Sequence, residues 1–461
     1  SRGLGDVYKR QGPFSLDTTD QFTATTGDLF DYILTAGVYD VTEDNSPPGW
    51  VLTSIGCDDD SATDLDTATA SMDVQLAETV TCTFTNTADG TLIIRKETLP
   101  EDAELGFDFT GEAAGTIRDF SATADEIVVS GQPGIYTSTE LVPPGWSITD
   151  ISCTGDVQSD VTIGTDIVSV DLVAGETVIC TFENTIQGSI TIEKFTQGGL
   201  GAFQFNGDFG SFQLDTNIAN PDSTSFTNLL PGIYMVSEIV PSNWTLSDIQ
   251  CSAGDGTIIT IGGEGGFDPG DQGVTIDLAD GDSVVCTFIN DADGSISVTK
   301  ATEPAGSPQS FDFSGDITAT LTDGQTSTAV LVPPGNYSVT EAAIAGWDIT
   351  GIACSDDDST GAGDTASFVV APGEVVNCIF TNTQRGTITL VKELPNDNGG
   401  DAVETDFTAF IDGTTVPWGV AQEYVPGNYT ASETTLTGYE PSGWFTDCAA
   451  DGSVTLGPGE N

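Results

Sequence analysis

The chain has 461 residues, a formal net charge of −61 and no histidine. Such acidity repels nucleic acid and anionic membrane and suits a solvated surface in salty water, while the missing histidine excludes Ser/His/Asp and Cys/His catalysis and histidine-ligated metals. A hydrophobic content of 38% is enough for one small core per domain and too high for a disordered chain, and no apolar run approaches membrane-spanning length.

In chain order, the first feature is Asp6–Gln11 (DVYKRQ), which resembles the translated sequence of a sequencing adapter, so residues 1–11 are set aside from the fold. One stretch then organises everything that follows. It occurs as Val80–Lys96 (VTCTFTNTADGTLIIRK), Val178–Lys194 (VICTFENTIQGSITIEK), Val284–Lys300 (VVCTFINDADGSISVTK) and Val376–Lys392 (VNCIFTNTQRGTITLVK), at intervals of roughly 100 residues, an ordinary domain length. Each copy reads as the closing strand of one unit, a short polar turn and the opening strand of the next. Five units follow: 12–89, lacking its first strand; 90–187; 188–293; 294–385; and 386–461, cut off before its last strand.

Within a unit the signals repeat. After the opening strand comes an aromatic pair, Phe107/Phe109, Phe203/Phe205 or Phe311/Phe313. A Pro-Gly turn follows, then a strand with tyrosine and glutamate four residues apart: Tyr39/Glu43, Tyr136/Glu140, Tyr234/Glu238, Tyr337/Glu341 and Tyr429/Glu433. A tryptophan, a cysteine and an acidic loop lead into the closing strand. Many short strands between Gly/Pro turns predict an all-β chain, a tandem array of five Ig-like β-sandwich domains with the first and last truncated. The junctions are only a few residues long, which predicts a semi-rigid rod.

Two cysteines per unit without CxxC spacing point to disulfides and an oxidising compartment: Cys57 with Cys82, Cys153 with Cys180, Cys251 with Cys286, Cys354 with Cys378. Cys448 is left without a partner, which the truncation of the last unit would explain.

Outside the adapter-like segment the chain has four lysines, Lys96, Lys194, Lys300 and Lys392. All four continue the apolar row of an opening strand. Asn86, Asn184, Asn290 and Asn382 end the inward row of a closing strand, and the glutamates end another. An ammonium taken out of water must pair or lose its charge. Burial lowers the lysine pKa and frees a nucleophilic amine, and the same setting raises the glutamate pKa so that it can shuttle protons. The amine can then attack the asparagine side-chain carbonyl, expel ammonia and leave an isopeptide bond. Three complete sets are present: Lys96–Glu140–Asn184, Lys194–Glu238–Asn290 and Lys300–Glu341–Asn382. Asn86 and Glu43 lack a lysine, and Lys392 and Glu433 lack an asparagine. The alternative is a buried Lys–Glu ion pair with the asparagine hydrogen-bonded beside it and no covalent bond.

This order of signals, a lysine in an opening I-x-I-x-K strand, G-x-Y-x-V-x-E followed by P-G-W, and a closing F-x-N strand, resembles the prealbumin-like domains of bacterial surface proteins, the SpaA-like and collagen-adhesin B-type repeats of pilins and adhesin stalks. The resemblance covers all five units. It implies that the matching lysine and asparagine are cross-linked with help from the glutamate. The chain departs from the family in adding a cysteine pair per unit and in using tryptophan where the family often has tyrosine.

The expected function is a structural stalk of a secreted or cell-surface-anchored protein, holding other regions that meet an extracellular protein or glycan. The alternative is direct binding of a matrix protein, glycan or calcium by the repeats. No enzyme activity beyond autocatalytic cross-linking is expected, and no cofactor, nucleic-acid partner or membrane insertion. Calcium is a weak candidate at Asp58–Asp60 with Asp64 and Asp66, and at Asp356–Asp358 with Asp364, because neither run has EF-hand spacing. Gly262–Gly273 reads as a flexible loop insertion in the third unit.

Overall fold

The computed structural model describes residues 36–44, 46–119, 125–155, 158–263, 265–396 and 398–461; the adapter-like segment lies outside them. These residues form a nearly all-β chain. Among them, the only helical element is a 3-10 turn at Glu404–Asp406.

The third unit shows how the sequence builds one module. Its opening strand, Gly188–Gln197, alternates buried and half-exposed residues along almost its whole length, as a strand with one face on a core must. It lies inside a four-stranded sheet. Asp222–Leu229 pairs antiparallel on one side, the closing strand Ser283–Ala292 pairs parallel on the other, and the tryptophan strand Trp244–Ser252 pairs antiparallel beyond that. The facing sheet has five strands in the order Phe212–Asp215, Ala202–Gly207, Gly232–Ile239, Gly273–Leu278 and Ile258–Ile261. The second and fourth units repeat this order strand for strand. Each of these units is thus a sandwich with its own core.

Ile190, Ile192, Val284, Cys286 and Phe288 of one sheet meet Phe203, Phe205, Val236 and Ile276 of the other, all essentially without solvent contact. Burying each of the large side chains contributes about 1.5–3 kcal/mol. The paired phenylalanines have separate partners. Phe203 sets its ring edge-to-face against Trp244, and Phe205 does the same against Phe288. Phe107/Trp146 with Phe109/Phe182, and Phe311/Trp347 with Phe313/Phe380, repeat the arrangement. The tyrosine of each glutamate strand anchors its own turn: Tyr136, Tyr234, Tyr337 and Tyr429 donate their hydroxyls to backbone carbonyls four residues upstream.

Two features of register position the inward polar groups. In the parallel ladder Lys194 stands opposite Phe288 and Asn290 opposite Thr196; Lys96 and Lys300 stand opposite Phe182 and Phe380 in the same way. The lysine therefore needs to reach only along its own strand direction to meet the asparagine. The tryptophan strand carries a bulge against the closing strand, opposite the asparagine in every case: between Leu52 and Ser54, Ile148 and Asp150, Leu246 and Asp248, and Ile349 and Gly351. A bulge bends the strand and re-aims nearby side chains.

All four expected disulfides are present, and each joins residues directly opposite in the antiparallel pair between tryptophan strand and closing strand. Their Cα atoms lie 4.0–4.1 Å apart. The loop insertion Gly262–Gly273 caps the hairpin between Ile258–Ile261 and Gly273–Leu278, and Phe267 within it packs against the core. Alkylation of the denatured but unreduced chain should label Cys448 alone; after reduction all nine cysteines should react. Labelling of any other cysteine before reduction would contradict this pairing.

Candidate functional site

Each complete Lys–Glu–Asn set converges at one end of its sandwich core. The lysine extends from the opening strand, the glutamate points across from the facing sheet, and the asparagine sits on the closing strand opposite the bulge. In the third and fourth units all three side chains are buried: Lys194, Asn290, Lys300, Asn382, Glu238 and Glu341 are each at most 2% exposed.

In the third unit, Lys194 Nζ donates to the carbonyl oxygens of Phe195 and Phe288 at 3.1 and 2.8 Å, and to Asn290 Oδ1 at 2.7 Å. Asn290 Nδ2 donates to Glu238 Oε1 at 2.5 Å. The other carboxylate oxygen, Glu238 Oε2, has no hydrogen-bond partner and lies 3.7 Å from Lys194 Nζ. The fourth unit repeats this: Lys300 Nζ reaches Asn382 Oδ1 at 2.8 Å, Asn382 Nδ2 donates to Glu341 Oε1, and Glu341 Oε2 is unpartnered 3.4 Å from Nζ. The amide thus sits between amine and carboxylate, with its oxygen toward one and its nitrogen toward the other.

The second unit differs in two contacts, the lysine's bond to the asparagine and its approach to the glutamate. Asn184 Nδ2 donates to Glu140 Oε1, but Lys96 Nζ donates to the carbonyl oxygens of Glu97 and Phe182, and Asn184 Oδ1 has no partner. The two incomplete sets are brought together as well. Lys392 forms a direct ion pair with Glu433 at 2.7–2.8 Å. In the first unit, Asn86 Nδ2 donates to Glu43, and the Ser46 hydroxyl lies 2.9 Å from both Glu43 Oε1 and Asn86 Oδ1.

Each lysine head lies over an aromatic face: Lys96 over Phe107, Lys194 over Phe203, Lys300 over Phe311 and Lys392 over Phe407, at 4.1–4.6 Å from the ring centroid. Sequence reasoning found the aromatic pair as a repeated signal but not this cation–π role, worth about 0.5–2 kcal/mol. The recurrence of a phenylalanine after each lysine strand was the available clue. Burial pushes Lys96 and Lys194 down to about 8 and also lowers Lys300, with the facing glutamates opposing the shift. Burial raises Glu140, Glu238 and Glu341, opposed by the lysines and by the asparagine hydrogen bonds. Both shifts favour the neutral forms, an amine and a carboxylic acid.

The acidic runs are rearranged relative to expectation. Among the described residues, the group close enough to share a cation is Asp356, Asp358 and Glu374. Asp364 is not part of it; its carboxylate accepts the Thr365 hydroxyl and its backbone carbonyl the N–H of Glu341. Asp64 turns its carboxylate onto the N–H groups of Asp66 and Thr67, closing its own turn.

No curated protein sequence matches the chain. Solved structures resemble it at low identity. The TIE protein of Bacillus anthracis is 16% identical, with 83% of this chain and 69% of that chain covered and a TM-score of 0.29. BcpA, the major pilin subunit of Bacillus cereus, is 12% identical, with 64% and 99% covered and a TM-score of 0.26. The open form of the pilus adhesin SpaC from Lactobacillus rhamnosus GG is 12% identical, with 68% and 50% covered and a TM-score of 0.21. The prealbumin-like fold domain matches residues 6–88, 92–186, 190–292 and 296–384 in one form and residues 383–461 in another. The protein therefore belongs to the SpaA-type prealbumin-like fold domain family, as an array of such domains closed by disulfides.

Proposed function

We propose that the chain is the load-bearing stalk of a secreted or cell-surface pilin-like or adhesin-like protein, and that its complete modules staple themselves with Lys–Asn isopeptide bonds. The observation that carries this reading is the placement of one amide between a buried amine and a buried carboxyl group. Lys194 Nζ hydrogen-bonds Asn290 Oδ1, so it stands one covalent bond away from the carbonyl carbon it would attack. The unpartnered Glu238 Oε2 faces the amine, and Oε1 faces the leaving nitrogen.

The reaction follows from that placement. Glu238 takes a proton from the Lys194 ammonium through Oε2, leaving a neutral amine. Nζ forms a bond to the Asn290 carbonyl carbon. A second proton passes from Nζ to Nδ2 by way of the glutamic acid, the bond from that carbon to Nδ2 breaks, and ammonia leaves. The Asn290 carbonyl is then bonded to Lys194 Nζ as a secondary amide, and Glu238 has shuttled protons without being consumed. Glu341 serves Lys300 and Asn382 in the same way. Glu140 serves Lys96 and Asn184 once the Lys96 head turns from Glu97 O to the free Asn184 Oδ1. The protein has no other catalytic role in this reading, and its extracellular protein or glycan partners are met through other regions.

Intact-mass measurement under reducing conditions should show the loss of one ammonia per bond, three for the whole chain; the full expected mass would overturn the cross-link. Glu238→Ala should restore one ammonia to the mass, because general acid–base help is worth about 10²–10⁴-fold in rate. The same variant leaves the Lys194 charge buried without its carboxylate, and its module should unfold earlier in urea by about 3–5 kcal/mol. The pH dependence has a definite sign. Burial puts the amine near 8, so its reactive neutral fraction grows as pH rises to that value and then levels off. Ammonia release during refolding should accelerate from pH 6 to about 8 and change little above it; a flat profile would argue against the lysine as nucleophile.

A further inference from the structure

The junctions between modules carry a second repeated device, independent of the cross-link. Just before each closing strand runs a tight turn: Ala279–Asp282, Ala371–Glu374 and Gly457–Glu460 in the third, fourth and fifth units. Each is closed by its own backbone hydrogen bond, from Asp282 N–H to Ala279 O, Glu374 N–H to Ala371 O and Glu460 N–H to Gly457 O, at 3.1–3.2 Å. The third residue of each turn is a glycine in the left-handed region, Gly281 (φ 67°), Gly373 (φ 70°) and Gly459 (φ 67°).

The N–H of that glycine bonds outside its own module. Gly281 donates to Ile186 O at 3.2 Å, Gly373 to Ala292 O at 2.8 Å and Gly459 to Gln384 O at 3.2 Å. Ile186, Ala292 and Gln384 are the last residues of the closing strands of the preceding modules. The next junction residue faces backward: the N–H groups of Gln187, Asp293 and Arg385 bond to Gly145 O, Asn243 O and Gly346 O of the preceding module at 2.8–2.9 Å. Two residues further on, Ser189, Ser295 and Thr387 donate forward to the carbonyls of Asp282, Glu374 and Glu460 in the turn, again at 2.8–2.9 Å. Arg385 adds a two-pronged pair to Asp348 behind it.

A side chain at the contact would meet backbone at Gly373 and would displace a neighbouring side chain at Gly281 and Gly459. A Cβ on Gly281 would stand 2.8 Å from Ile186 Cγ2, and one on Gly459 would stand 2.7 Å from Gln384 Oε1. One on Gly373 would run into the Gly198 carbonyl of the preceding module. The first unit has Ala77 at the same turn position, with φ 64° and the same closing bond from Glu78 N–H to Gln75 O. The turn itself therefore accommodates alanine, and at Gly373 it is the approach of the preceding module's backbone that a side chain would block.

We propose that this glycine turn is a latch that fixes the third, fourth and fifth modules each on the end of the one before it, so that this part of the array is stiff. The surface concerned is head-to-tail: the turn of one module and the last closing-strand carbonyl of its predecessor. Two forces could extend so acidic a chain, the latch and plain charge repulsion, and they respond differently to salt.

Small-angle scattering of the full chain decides between them. The parent should keep its maximum dimension from low to 1 M salt, where the Debye length falls to about 3 Å. The triple variant Gly281→Ala, Gly373→Ala, Gly459→Ala should keep its four disulfides, yet shorten at high salt and show the raised Kratky curve of jointed beads. A second variant with Gly-Ser inserted after Gln187, Asp293 and Arg385 leaves every module sequence intact and should behave in the same way. A parent that collapses in salt, or insertion variants that scatter like the parent at 1 M salt, would overturn the proposal.

Discussion

The structure depends on keeping one ammonium head inside an apolar sandwich. Leaving an ion unpaired there costs several kcal/mol, so every neighbour of the lysine has a part in offsetting it. For Lys194 these are a phenylalanine face at 4.6 Å, two backbone carbonyls, an amide oxygen and a carboxylate. The incomplete sets show what the asparagine adds. Without it, Lys392 and Glu433 meet directly at 2.7 Å and both remain partly exposed. In the third and fourth units, which have it, carboxylate and amine are held 3.4–3.7 Å apart with the amide bonded to both, and water is excluded. A simple ion pair would favour the first arrangement; the second suits a reaction at the amide.

The same geometry arranges the module for tension. Opening and closing strands are parallel neighbours, so the chain enters at the start of one, near Gly188, and leaves at the far end of the other, near Ala292. Pulling on the two ends loads that ladder in shear. A bond from Lys194 to Asn290 would carry force straight across it. The disulfide lies off this path, joining Cys251 to Cys286 before the asparagine, and acts on the unfolded chain by closing a loop, an effect of roughly 2–4 kcal/mol. The disulfide and the proposed isopeptide bond would therefore not be duplicates. The glycine turns of the last three modules bond the final carbonyl of the closing strand before them, Ile186, Ala292 and Gln384.

Much of this was legible in the sequence because alternation and repetition carry it. Val284, Cys286, Phe288 and Asn290 lie on one inward row, as period-two spacing requires, and the disulfides follow from the position of two cysteines in each repeat. Lysines confined to one repeat position in so acidic a chain were enough to place them inside. The cation role of Phe107, Phe203 and Phe311 was not legible, because an aromatic at strand spacing already has a sufficient explanation in the core. The acidic loops misled for a related reason. Asp364 is near Asp356 in sequence, but hairpin pairing turns it away and brings Glu374 in from the next turn.

The sequence alone determined the all-β class, the module repeat, the cysteine pairs and which lysine, glutamate and asparagine belong together, because each is a pattern with a fixed period. Only the tertiary structure decided that the first and last strands run parallel in a register offset by two residues, and that Lys96 is held away from Asn184 while Lys194 and Lys300 are not. Those choices rest on strand pairing and on lysine side-chain hydrogen bonds between residues 80 to 96 positions apart. Local composition constrains such pairing only through the faces it buries.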